Sequence, residues 1–309
     1  MKKFLVRIFI VFILSLFIVV GIIFMIPLPE NSYDFAIIDK HRILAGTKSP
    51  KIVLAGGSNL AFGIDSAEIE NKLNIPLVNM GLHAGIGLGR ILNDISPFLN
   101  SNDILLIVPE YDHFSNTWNG SETAYELIFD FRQYRLLWSF YYGLPDRFSN
   151  YLSMKISSFS FFPKPNNTSD SNTYSRDGFN KNGDYIKHLG MENQSFSSNN
   201  GLGSFKKTYL NHFFKFVDNF SLRGITVVLS YPCYEEQSFR NSEGLIQELD
   251  MVFRTKENLQ VISTPVSYCF PTDYFFDTVY HLNEQGRSVR TNQLIQDLQA
   301  SGLLNIYSP

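Results

Sequence analysis

Five short stretches of the chain are apolar almost without interruption: residues 51–56 (KIVLAG), 75–81 (IPLVNMG), 103–109 (DILLIVP), 225–232 (ITVVLSYP) and 259–264 (LQVIST). A strand with one face in water alternates apolar and polar residues. A run without that alternation is buried on both faces. Between these runs lie stretches with helical signals. Residues 65–73 open on Asp65 and Ser66, carry acid in the first turn and place Ile69 and Leu73 on one face. Helices are likewise expected over 87–99, 205–224, 245–256 and 283–301. Strands buried on both faces and separated by helices predict an α/β domain with a parallel sheet covered on each side. Ligands of such sheets bind beyond the carboxyl ends of the strands, so chemistry is to be sought there.

The N-terminus makes a separate demand. Residues 8–27 form an uncharged apolar run behind Lys2, Lys3 and Arg7. A hydrocarbon core of ~30 Å needs about 20 such residues in a helix. The run is longer than the roughly 7–15 residues of a signal-peptide core, and IPLPEN follows it rather than a small-residue cleavage site. Residues 1–30 are therefore expected to be a retained anchor with membrane lipid as partner of residues 8–27, and residues 31–309 the α/β domain. The basic residues hold the N-terminus in the cytoplasm, which places the domain outside the cytoplasmic membrane.

Composition narrows the function. Lysine and arginine number 26 against 29 acidic residues, a formal charge of −3, which offers no electrostatic case for binding nucleic acid. No two histidines stand four apart and no Cys-x-x-Cys occurs, so neither a metal nor a cofactor is expected. Gly85, Gly87 and Gly89 lack the spacing of a dinucleotide loop. Cys233 and Cys269, each just past an expected strand, suit one disulfide or two thiols equally. An insertion is expected over about 115–203. Its first part, 122–156, is aromatic enough for helical packing, while 163–184 and 192–203, rich in Asn, Ser and Gly, read as exposed loops. A lid and a surface elaboration both suit it.

The stretch KIVLAGGSNLAFGIDS puts Ser58 directly after the first strand. Taken alone, Gly56, Gly57 and Ser58 suit a plain strand-to-helix turn. A serine nucleophile needs a base within reach and an acid to orient that base. Residues 274–286, YFFDTVYHLNEQG, supply both: His281, with Asp277 four residues before it. The chain order Ser–Asp–His is one of several that serve the same geometry. Asp273 is an alternative acid.

GGSN after the first strand, NMG after the second and DTVYHLN before the last helix resemble the SGNH/GDSL hydrolase superfamily. They are similar in particular to membrane-anchored members tied to cell-surface polysaccharides, of the alginate-acetylation and D-alanyl-transfer type. The resemblance covers nearly all of the chain beyond the anchor. It implies a flavodoxin-like three-layer sandwich with Ser58 as nucleophile and His281 as base, and with the backbone N–H groups of Ser58 and Gly81 as oxyanion hole. It also implies a serine esterase or O-acyltransferase acting on acyl esters, acetyl foremost, of an extracytoplasmic glycan. The alternative is an SGNH-like scaffold that binds glycan or serves an envelope-assembly complex. Asn59, Asn79, His83 and Glu110 are the expected substrate-binding residues. Two positions depart from the family pattern. Glu110 stands where an asparagine donor is usual, and Asp277 precedes the histidine by four residues rather than three. An ionised carboxylate donates no hydrogen bond, so another group substitutes, the hole is weak, or catalysis is lost.

Overall fold

The computed structural model describes residues 1–25, 30–132, 144, 146–158 and 173–303. Five parallel strands form the sheet: β1 (Ile52–Gly56), β2 (Leu77–Asn79), β3 (Ile104–Val108), β4 (Thr226–Leu229) and β5 (Gln260–Val261). Their order is β2-β1-β3-β4-β5, and β1 runs in register with β3 from Ile52 opposite Ile104 to Gly56 opposite Val108. This is the strand order of flavodoxin-like sheets. The five expected strands are all present, each shorter than its apolar run, and β2, β4 and β5 markedly so.

Successive residues of β1 serve opposite faces, as the strand period of two requires. Val53 and Ala55 join one core with α2 (Ala36–Gly46), α5 (Leu88–Ile95), α8 (Lys207–Leu222) and α10 (Glu243–Arg254). Ile52 and Leu54 join the other with α4 (Ser66–Leu73) and α11 (Glu284–Ala300). Ile52, Val53 and Leu54 are fully buried, and each is worth about 1.5–3 kcal/mol relative to exposure. Asp65 caps α4 by accepting from Glu68 N at 3.1 Å, and Asn283 caps α11 by accepting from Gly286 N at 3.0 Å. Three helices among the described residues go beyond the expected set: α2, α3 (Ser58–Gly63) and the short α9 (Glu236–Arg240), which follows β4.

The insertion contributes α6 (Glu122–Phe129) and α7 (Phe148–Ser158). Residues 133–143, 145 and 159–172, which include much of the first expected polar loop, lie outside the described residues. The rest of that loop, 173–184, is not the exposed segment its composition predicts. Ser175 and Asp184 are buried, and the Asp184 carboxylate accepts from Ser66 N and from Asn79 Nδ2, both at 2.9 Å. Polar residues bury where each finds a partner, and composition alone does not register those partners.

The N-terminal helix α1 (Lys2–Met25) has a mean hydropathy of 3.3 in its most apolar window and is long and apolar enough to cross a membrane. Residues 26 and 27 of the expected span lie outside the described residues. Cys233 and Cys269 are both free thiols. Cys233 is buried and donates to Tyr280 O at 3.0 Å, and burial pushes its thiol up to about 11.

Candidate active site

β1 ends where the chain must pass close to β3. A side chain on Gly56 would put its Cβ 2.3 Å from Val108 O. Gly57 then turns the chain into α3, and Ser58 is the first residue of that helix, half-buried at the carboxyl edge of the sheet. The backbone of Gly57 is extended, so its conformation does not require glycine. Contact does: a Cβ there would lie 2.3 Å from Glu110 Oε1.

The loop between β5 and α11 brings the second half of the site to this edge. It is pinned by an antiparallel bridge between Phe275 and Leu282, with Phe276 N donating to His281 O at 2.8 Å. Thr278 Oγ1 accepts from His281 N at 3.1 Å and from Tyr280 N at 3.2 Å. This turn folds the four-residue spacing back on itself. His281 Nδ1 lies 2.8 Å from Asp277 Oδ1, and its Nε2 lies 2.8 Å from Ser58 Oγ. With the ring proton on Nδ1 facing Asp277, Nε2 is left to accept from the serine hydroxyl. The imidazole stacks flat on Phe62, with centroids 4.0 Å apart and planes within 6°. Phe62 belongs to α3, one helical turn after Ser58.

Tyr174, unremarked in the sequence, completes the acid end. Its hydroxyl donates to Asp277 Oδ2 at 2.5 Å and lies 3.0 Å from His281 Nδ1. Burial raises the Asp277 carboxyl, but hydrogen bonds from His281 and Tyr174 and the His281 charge outweigh it, and the group is held below its ordinary range. Burial and the neighbouring Asp277 push the Tyr174 hydroxyl upward, so it stays a donor.

The oxyanion side differs from expectation. Gly81 N donates to Asn79 Oδ1 at 2.9 Å, and Gly81 does not line the cavity in front of Ser58. Asn79 is fully buried and also donates to Leu60 O and Asp184. Asn59 is likewise buried: Arg290 Nη2 donates to its Oδ1 at 2.8 Å, and its Nδ2 lies 3.3 Å from Val108 O. Both asparagines brace the turn rather than face a substrate, because their polar atoms are matched internally. His83 and Glu110 do line the cavity. Glu110 Oε1 accepts from Asn59 N at 3.1 Å and stands 3.4 Å from Ser58 Oγ. A carboxylate therefore borders Ser58 where the family pattern has an asparagine donor.

The cavity holds about 520 Å³ and brings Tyr33, Asp34, His83, Glu110, Tyr174 and Tyr280 around the Ser58–His281 pair. Burial raises the Asp34 carboxyl. Among the described residues, no three His, Cys, Asp or Glu side chains are grouped to hold a metal ion. Asp273, the alternative acid, gives only its backbone oxygen to Asn193 and Asn283. Comparison of the chain with protein-family models and with curated proteins finds no match. The class that fold and site define is thus a geometric one: an α/β protein carrying a Ser–His–Asp chain at the carboxyl edge of a parallel sheet.

Proposed function

We propose that the protein is a membrane-anchored serine esterase or O-acyltransferase of the SGNH type, acting on acyl esters, acetyl foremost, of a glycan outside the cytoplasmic membrane. The observation that carries this reading is the unbroken hydrogen-bond chain Ser58–His281–Asp277, opening on a cavity at the sheet edge. Ser58 Oγ attacks the ester carbonyl while His281 Nε2 takes its proton. The ester C–O bond breaks, the proton passes from His281 to the leaving alcohol, and an acyl–Ser58 ester remains. Water or a sugar hydroxyl then repeats the sequence in reverse. Asp277 holds the ring orientation, with Tyr174 bonded to its second oxygen. The Ser58 N–H lies in the first helical turn, where backbone donors have no intrahelical partner, and serves the oxyanion.

The non-catalytic reading, a scaffold that binds glycan or supports an envelope-assembly complex, is favoured by one observation. The carboxylate of Glu110 borders Ser58 while the Gly81 N–H is engaged by Asn79. Labelling of the full-length protein in detergent with a fluorophosphonate probe separates the two. The esterase reading expects covalent labelling that Ser58→Ala abolishes. Absence of labelling across neutral pH leaves the scaffold.

A further inference from the structure

The anchor helix is packed against the domain near its outward end. Val19 and Ile23 meet α6 and α7, where Tyr125, Phe129, Tyr151 and Leu152 form a small apolar cluster that Phe129 joins to the core containing Val53 and Ala55. Phe24 and Phe129 add an edge-to-face contact at 6.1 Å. At ~1.5 Å of rise per residue, Val19 and Ile23 lie about 9 Å and 3 Å along the axis from Met25, the last residue of α1. Side chains packed on them share that level.

The pattern of α7 suits this position. Tyr151 and Lys155 turn toward α6, where the Tyr151 hydroxyl donates to Asp130 Oδ2 at 2.9 Å and the buried Lys155 ammonium pairs with the same carboxylate. Phe148, Leu152 and Ile156 recur every four residues on the adjoining stripe, and Ile156 is 53% exposed. Leu144, just before the helix, is 65% exposed. Ser149, Ser153 and Ser157 form the polar stripe beyond. α7 thus rests on the anchor through Tyr151 and Leu152 and leaves exposed apolar side chains directly beside α1.

We propose that α6 and α7 form a platform seated in the same bilayer as α1, with the Phe148–Leu152–Ile156 stripe and Leu144 immersed at the boundary between headgroups and acyl chains. This rests on α1 spanning a bilayer. The occupant of the stripe is lipid because the stripe continues the apolar surface of the anchor, at the level of Val19 and Ile23. The platform also reaches the cavity. Ser121, which precedes α6, donates its N–H to Gly85 O at 2.6 Å, next to the cavity-lining Ala84. The cavity is thereby held at the bilayer surface.

The test uses full-length protein carrying Cys269→Ser, reconstituted in phosphatidylcholine vesicles, with the buried Cys233 left in place. Single nitroxide labels go on Ile156→Cys, on Phe17→Cys in the anchor, and on Leu222→Cys, an exposed position at the end of α8. Collision with oxygen reports lipid, and collision with a water-soluble nickel chelate reports water. The proposal expects the oxygen-to-nickel ratio at 156 and at 17 to exceed that at 222 several-fold. A ratio at 156 equal to that at 222, with 17 still in lipid, overturns the platform and leaves the anchor standing. A water-like ratio at 17 overturns the anchor and the platform with it.

Discussion

His281 Nε2 lies 2.8 Å from Ser58 Oγ, although 223 positions separate the two residues. The contact arises because β1 and the loop leading into α11 both end at the same edge of a parallel sheet, and because α11 packs on the α3–α4 side. Arg290 of α11 holds the backbone oxygen of Asn59, the residue after the serine, so the two halves of the site are tied directly behind the Ser58–His281 pair.

Replacing the base tests that pair. A positioned general base contributes about 10²–10⁴-fold, so His281→Ala is expected to slow fluorophosphonate labelling of Ser58 by that factor at temperatures where the variant, somewhat destabilised by loss of the ring stacked on Phe62, is still folded. Labelling at the wild-type rate would mean that another group activates the serine.

Tyr174→Phe removes one hydrogen bond to an ionised carboxylate, worth about 1.5–3 kcal/mol. His281 still holds the other oxygen of Asp277, so part of that loss is recovered. The labelling rate is expected to fall by about tenfold, with a change in its pH profile, because the tyrosine acts through the acid that orients the ring. A uniform loss matched by lower melting temperature would assign Tyr174 to packing alone.

Glu110→Gln exchanges the carboxyl group beside Ser58 for an amide that carries a donor. A single oxyanion donor is worth about 10²–10³-fold, so faster labelling is expected at neutral pH. Slower labelling would show that the carboxylate itself assists. The steric side of the same contact is separable. Gly57→Ala is expected to cost about 1–3 kcal/mol through overpacking against Glu110, and the Glu110→Ala background to recover most of it in a double-mutant cycle of melting temperatures.

Buried acids set a pH dependence. Burial, then the charges of Asp34, Asp130 and Glu122, push Glu126 from 4.5 to about 9. The folded protein keeps this proton where the unfolded chain releases it. The contribution to stability is therefore whole below the ordinary value and declines as pH rises toward the folded one. Asp34, also raised by burial, acts in the same direction. The melting temperature of the full-length protein in detergent is expected to fall between about pH 5 and pH 9, and Glu126→Gln to flatten the slope; an unchanged slope would locate the titration elsewhere.

The strands, the outer helices and the approach of Ser58, His281 and Asp277 could be read from the chain because each leaves a local pattern: an apolar run, a cap, or a serine and a histidine beside expected strand ends. Tyr174 left none. It sits in an Asn- and Ser-rich stretch without periodicity, and only its contact with Asp277 gives it meaning. Arg290 is a charged residue on a helix, which reads as solvent-facing, yet it is buried and bonded to Asn59. The family resemblance implies the Gly81 N–H at the oxyanion, but the sequence does not give the orientation of the neighbouring Asn79 side chain, which accepts from that N–H. Partners distant in the chain decide these cases, and periodicity carries no information about them.

α3 bears Ser58 at its start and Phe62 one turn later, beneath the imidazole. One turn of helix therefore sets where the serine hydroxyl stands relative to the surface on which the ring lies, and a change in the pitch of that turn would alter both at once.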